Sequence, residues 1–204
     1  MAILPAGLAH SHMGNQAASL RIQQLYGTPV LLSGMASLVL KKSEIKMLQQ
    51  HYKLFLEQVQ KLYRSSPDPF VYFLAGSLPL IALLHLRQLT LLGMIARLGS
   101  SNILFRHGLN ICSSSNNKHS NSWFMKLKHI CSQYGLPTPY QLLLDPPSQS
   151  SFKTTIKGKV IDFWEKQLRG EASKLSSIKY FRVDFTPCQS HILFGQLLAI
   201  IHTK

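Results

Sequence analysis

The stretch that decides the fold is Pro67-Asp-Pro-Phe-Val-Tyr-Phe-Leu-Ala-Gly-Ser-Leu-Pro-Leu-Ile-Ala-Leu-Leu-His-Leu-Arg-Gln-Leu-Thr-Leu-Leu-Gly-Met-Ile-Ala-Arg-Leu98. It is the most apolar part of the chain and lies near its middle. A bilayer-spanning helix needs about 20 apolar residues with few or no charges. Here only Phe70 to Leu84 is uncharged before His85 and Arg87 intervene, and Pro79 breaks the run from within. Proline is costly inside a helix and tolerated in its first turn. The stretch therefore reads as a buried helical hairpin. A short helix runs over about Phe70 to Ala75, Gly76 and Ser77 form the joint, and a longer helix starts near Pro79 with Ser77 as its cap. Leu80, Leu83, Leu84, Met94 and Ile95 are expected on a broad buried face, with Arg87 and Arg97 reaching water.

The upstream segments follow the same periodicity. Residues 1–16 read as an irregular lead-in, and Ala17 to Tyr26 as helix. Gly27-Thr28-Pro29 punctuates it, with Thr28 as cap and Pro29 at the first helical position. Val30 to Leu40 is nearly all apolar, and Gly34 within it predicts close backbone packing. Ser43 is placed to cap the next helix, with Glu44 in its first turn. Ile45, Leu48, Tyr52, Phe55, Val59 and Leu62 step by three or four residues, one buried stripe on a long helix.

Downstream, Gly99-Ser100-Ser101 ends one helix and opens another that runs to about Leu109. Residues 113–122 form a polar, low-complexity spacer and the best domain boundary. Trp123 to Tyr134 is a helix with Phe124, Leu127, Ile130 and Tyr134 inward, stopped by Gly135. Thr138 and Gln141 have capping-box spacing for a short helix through Leu144, and Asp145-Pro146-Pro147 is a turn. A last long helix spans about Ser151 to Lys174, with Phe152, Ile156, Val160 and Phe163 buried and Trp164 on the flank. Only Lys179 to Phe185 resembles a strand. The fold class is all-α: a multi-helix region over 17–112, the linker at 113–122, a smaller helical region over 123–185, and a divergent end over 186–204.

The 204 residues carry 22 Lys and Arg against 8 Asp and Glu, a net charge of +14. Such a balance points to an anionic partner, nucleic acid before an acidic membrane surface. Cys112, Cys131 and Cys188 match no disulfide framework, which favours a reducing compartment. The N-terminal residues lack the basic and apolar regions of a signal peptide, so the expected location is intracellular.

Catalytic signatures are sparse. Asp68, Asp145, Asp162 and Asp184 are scattered, so no visible element gathers the carboxylates of a two-metal centre. There is no phosphate-cradling glycine loop and no nucleophile elbow. Cys112, His119, His129 and Cys131 form the best metal candidate, but the first pair is too wide and the second too tight for a structural zinc site. His85 reads as a helix-surface or satisfied core histidine. No cofactor, no metal and no small-molecule substrate is expected.

The order of several segments resembles a known family. Val71-Tyr-Phe-Leu-Ala-Gly-Ser-Leu-Pro-Leu80 followed by His85-Leu-Arg-Gln-Leu-Thr-Leu91 looks like the region after the catalytic palm of LINE-type (non-LTR) retrotransposon reverse transcriptases. Thr28-Pro-Val-Leu-Leu-Ser-Gly-Met35 and the Ile45 to Leu62 helix resemble segments upstream of it. Ser122-Trp-Phe124, Gln133-Tyr-Gly-Leu-Pro137 and Phe163-Trp-Glu-Lys-Gln-Leu-Arg-Gly-Glu-Ala172 resemble the post-thumb tail. The similarity covers roughly residues 15–185. The chain departs from the family pattern at Ala36, where Glu is frequent, and at Leu86, where Lys is frequent.

The resemblance implies a truncated fragment holding thumb and tail but no palm, and thus no RNA-directed DNA polymerase activity of its own. The catalytic Mg²⁺ of such enzymes belongs to the palm. Arg182-Val-Asp-Phe185 still fits the family, whereas His191 to Lys204 does not. One codon choice for that end, read in a shifted frame, gives a family-like continuation, so a frameshift near Cys188 is expected. The implied activity is weak, salt-dependent binding to RNA or DNA backbone through Lys41, Lys42, Lys46, Arg87, Lys126, Lys128, Lys159 and Lys166. The absent palm region is a further implied partner. Two other readings stand beside it: a helical protein-interaction module, and a membrane-associated protein acting through residues 70–98.

Overall fold

A computed structural model describes residues 16–113 and 122–175. The expectations for the lead-in, the spacer, a strand at 179–185, Cys188 and a frameshift near it fall outside the described residues. Those described are helical, and no strand occurs among them. In chain order the helices are α1 (Gln16–Ile22), α2 (Thr28–Leu31), α3 (Lys42–Val59), α4 (Asp68–Ala75), α5 (Leu80–Arg97), α6 (Ile103–Ser113), α7 (Trp123–Gln133), α8 (Pro139–Leu144) and α9 (Gln149–Ala172). The all-α class follows.

The described chain divides into two compact units. One comprises residues 16–31, 46–80 and 165–175, and the other residues 32–45, 81–113 and 122–164. The second unit therefore contains both flanks of the polar spacer, and within it α6 packs on α7 and α8.

In the first unit α4 is buried on nearly every side, from Val71 to Ala75. A short helix that is apolar all round has no solvent face to offer. It ends because Gly76 adopts φ +56, a left-handed turn that glycine enters without steric cost. Its N–H donates to Phe73 O at 3.1 Å, and Ser77 N–H donates to Tyr72 O at 3.1 Å. Ser77 does not cap α5. Its hydroxyl is engaged inside, 2.6 Å from Tyr52 Oη and 3.3 Å from Leu78 O. On α3 the buried positions are Tyr52, Leu56 and Glu57, followed by Gln60 beyond the helix end. Phe55 and Val59 are only half-buried, so the buried line is rotated from the apolar stripe read in sequence.

Gly27 does not stop the first helix. A π turn over Gln23–Gly27 carries the backbone straight into α2, and Thr28 sits within the helix rather than capping it. Gly34 has φ +76 with open space where a Cβ would stand, so it serves backbone conformation and not close packing. The start of α3 is held by Glu44, whose carboxylate accepts from Lys41 N–H at 2.7 Å, in place of the expected Ser43 cap. This is the back-reaching half of a capping box.

In the second unit α5 buries Leu84, Leu89, Leu92, Ile95 and Ala96 together with His85 and Gln88, while Met94 is exposed. Asn102, not Ser100 or Ser101, caps α6, accepting from Leu104 N–H at 2.9 Å. The helix then runs past Leu109 to Ser113. Helix α7 buries Phe124, Leu127 and Ile130 as expected, and Tyr134, also buried as expected, is its C-terminal cap residue. Ser122 caps it, and Gly135 at φ +59 closes it. The capping box on α8 forms, with Thr138 N–H donating to Gln141 Oε1 at 2.9 Å and Gln141 N–H to Thr138 Oγ1 at 3.3 Å. On α9 it is Trp164 that is buried, and Phe163 that takes the flank.

Candidate nucleic-acid interface

Acidic side chains in this protein are few, and most are used locally. Glu44 caps α3, and Glu171 accepts from Gln167 Nε2 at 3.1 Å. Glu165 pairs with Arg169 at 2.8 Å. In the first unit Lys53 lies between two carboxylates, 2.5 Å from Asp68 Oδ1 and 3.7 Å from Glu57 Oε1. Among the described residues, Lys53 and Arg169 are the cations that stand in ion pairs. The remaining described lysines and arginines carry charge that no described carboxylate within 4.0 Å offsets.

Two of the eight basic candidates, Lys46 and Lys166, lie in the first unit, and both are exposed. The second unit brings together three others. Trp123 Nε1 donates to Ala36 O at 2.7 Å, and Lys126 Nζ donates to Leu40 O. Two side chains of α7 thus hold the segment that leads into α3, which places Lys126 beside Lys41 and Lys42. The latter two are exposed at the start of α3, where the helix dipole adds to their positive field.

The other candidates are separate from that group. Lys128 is two residues from Lys126 on the same helix, so it points to another side. There its charge favours the thiolate of Cys112, against the burial that raises that thiol. Lys159 Nζ donates to Gly135 O at 3.2 Å, at the C-terminal end of α7, where a cation suits the helix dipole. Arg87 is half-buried on α5.

Two polar arrangements went unread in the sequence. In the second unit His85 is buried, with Nδ1 2.7 Å from Tyr134 Oη, and Trp164 Nε1 donates to that same oxygen at 2.9 Å. Burial lowers the His85 pKa to about 4. It raises that of Tyr134 to about 12, against the opposing hydrogen bond from Trp164. In the first unit Glu57 is only 1% exposed, and neither carboxylate oxygen has a hydrogen-bond partner. Burial raises its pKa, and Lys53 works against that rise. The helical period marks positions as inward but says nothing of polar partners brought in from distant segments.

The metal candidate does not assemble among the described residues. No group of three or more His, Cys, Asp or Glu stands where it would hold an ion, and His119 lies outside the described residues. Cys112 and Cys131 are free thiols. Burial, with Cys112 nearby, raises Cys131 to about 12. Of the described helices α5 is long and apolar enough to cross a membrane, and more than half of it is buried in the fold.

Comparison of the chain with protein-family models, with curated proteins and with solved structures gives no match.

Proposed function

We propose that this chain is a non-catalytic remnant of a LINE-type reverse transcriptase, a thumb and its tail, which retains sequence-independent binding to RNA or DNA backbone. The observation that supports the binding is the uneven use of charge. Exposed lysines on several helices lack carboxylate partners, whereas five of the eight acids, Glu44, Glu57, Asp68, Glu165 and Glu171, are taken up by a cap, pairs or local hydrogen bonds. Phosphates attract such side chains in any sequence, and each contact displaces a counterion.

Titrating a labelled RNA or DNA oligonucleotide with the full chain at several salt concentrations tests the binding. Affinity falls steeply as salt rises, with a slope of roughly 0.7–0.9 per phosphate neutralised. A flat dependence, or no binding at low salt, overturns it. The origin is tested separately by the flanking genomic DNA, where a palm reading frame is expected upstream. Primer extension with Mg²⁺ is expected to give no product.

One surface supports a second reading, a protein-interaction module. Ile22, Leu25, Tyr26 and Val30 are all exposed along the first helical segment of the first unit. A stable protein complex at physiological salt, lost on replacing Tyr26 and Val30 with polar residues, would favour it.

A further inference from the structure

The loop that joins α3 to α4 lies wholly within the first unit and is rigidly rooted. At its start Lys61 N–H donates to Gln58 O at 3.1 Å, and Leu62 N–H donates to Glu57 O at 2.8 Å. That pair of bonds is the Schellman closure, in which the residue after the cap turns left-handed and is usually glycine. Here the position holds Lys61, at φ +54, the one described non-glycine residue at positive φ. At the far side Ser66 N–H donates to Tyr63 O at 3.0 Å, closing a tight turn. Gln60 Nε2 donates to Val71 O at 3.2 Å and ties the end of α3 to α4.

Along the chain this framework carries an exposed aromatic residue with a cationic residue before and after it. Tyr63 is 87% exposed, more than any other large hydrophobic residue described. Lys61 and Arg64 are exposed on either side of it, and neither is in an ion pair. The nearby acid Asp68 is bound by Lys53, which offsets its charge. A turn that keeps a lysine where glycine would be cheaper presents three side chains suited to one ligand. An unpaired base offers a face for stacking on the ring, and its flanking phosphates offer charge to Lys61 and Arg64.

We propose that Lys61, Tyr63 and Arg64 form a contact for single-stranded nucleic acid, with Tyr63 as the stacking platform for an unpaired base and the two cations on its phosphates. This rests on the nucleic-acid reading above and specifies where and how a single strand is held. A membrane surface fits less well. Tyr63 is the sole exposed apolar side chain at the apex, Leu62 is half-buried and Ser65 and Ser66 are polar. One ring buries too little apolar area to anchor a protein, for which a broad apolar helix face is used.

The test compares the full chain with Tyr63→Ala, Tyr63→Phe and the pair Lys61→Gln with Arg64→Gln, using a labelled 20-nucleotide RNA and a duplex DNA of equal length. Circular dichroism confirms that each variant is folded, as expected for exposed substitutions. Tyr63→Ala weakens single-strand binding by roughly 5- to 150-fold and leaves the salt slope unchanged. Tyr63→Phe retains binding. The double substitution lowers the salt slope by about 1.4, or about 0.7 for each phosphate contact. Duplex binding is unaffected by Tyr63→Ala, because stacked bases offer no free face. Full-strength single-strand binding by Tyr63→Ala overturns the proposal and leaves the general backbone reading intact. Absence of any binding by the parent chain at low salt overturns both. Pelleting of the parent chain with vesicles rich in phosphatidylserine, abolished by Tyr63→Ala while RNA binding persists, also overturns it.

Discussion

Tyr134 Oη lies 2.7 Å from His85 Nδ1, a buried hydrogen bond that ties α5 to the end of α7. Trp164, whose indole N–H can only donate, lies 2.9 Å from the same oxygen, so Tyr134 accepts there. The second bond is donated by Tyr134 when the neutral imidazole carries its proton on Nε2, and by His85 when the proton is on Nδ1. Three side chains from α5, α9 and the end of α7 are thereby joined inside the second unit.

A buried neutral histidine makes stability depend on pH. Burial lowers the His85 pKa to about 4, below the 6.5 of an unhindered imidazole. The unfolded chain therefore binds this proton more readily than the folded one. The stability His85 contributes is fully present above pH 6.5 and is lost as pH falls through the window down to 4, a change on the order of 3 kcal/mol. Urea unfolding at pH 7 and pH 5 is expected to show the lower stability at pH 5. His85→Leu should flatten this part of the profile, and an unchanged slope in that variant would locate the titration elsewhere.

Tyr134→Phe removes the atom on which the network turns. Trp164 loses its acceptor and His85 its hydrogen-bond partner, both in the interior, while ring size is conserved. A buried polar group left without a partner costs about 1–3 kcal/mol. Denaturant unfolding should show a loss in that range. A loss near zero would mean that water enters and satisfies both groups.

Glu57 gives the opposite pH sign. Its carboxyl is raised by burial, with Lys53 only partly compensating. The neutral form suits the fold, so the stability this group contributes is greatest below its unfolded pKa and falls as pH rises through the folded value. Glu57→Gln keeps the shape and removes the buried charge, and Lys53 keeps Asp68. The expected outcome at pH 7 is a higher Tm. A lower one would show that the Lys53–Glu57 pair outweighs the desolvation of the carboxylate.

Two glycines separate packing from conformational freedom. A Cβ on Gly108 would stand 2.6 Å from the Phe124 ring, which is itself buried against the same helix. Gly108→Ala must push that ring aside and should cost about 1–3 kcal/mol. Gly158 lies within α9, exposed, with nothing near the added atom. There Gly158→Ala should stabilise by about 0.5–1 kcal/mol through helix propensity alone. Thermal melts of the two variants should move in opposite directions.

Much of the helical framework was legible because its signals are local. The Thr138–Gln141 box, the Gly76 and Gly135 stops and the inward face of α7 each depend on residues within a turn or two. What went unread depends on residues far apart in sequence. Ser77 has the right type and place for a cap, yet its hydroxyl is taken by Tyr52, 25 residues away. Gly34 reads as a packing glycine inside an apolar run, but the chain needs its left-handed φ. Apolar periodicity put Phe55 and Val59 on the buried line of α3, while Glu57 and Gln60 are buried in their place through Lys53 and a backbone carbonyl. Of the basic candidates, sequence supplied identity, and exposure for all but Arg87 and Lys126, which are half-buried. Lys126 joins Lys41 and Lys42 only through hydrogen bonds that cross more than 80 residues.

Lys61→Gly sets stability against binding at one position. Glycine enters the left-handed region freely, whereas a residue with a Cβ is strained there by roughly 1–2 kcal/mol. Lys61 at φ +54 bears that strain, and relieving it should stabilise the chain by about 1 kcal/mol, less a part returned by the greater freedom of glycine in the unfolded state. The same change deletes one cation beside Tyr63. Single-strand affinity should therefore fall and its salt slope decrease by about 0.7 while the protein becomes harder to unfold. Urea unfolding and anisotropy titration on one preparation read both quantities. A gain in stability with unchanged binding would show that Lys61 contributes nothing to the single-strand contact. A loss of stability would show that the lysine side chain makes interactions that outweigh the strain of its backbone.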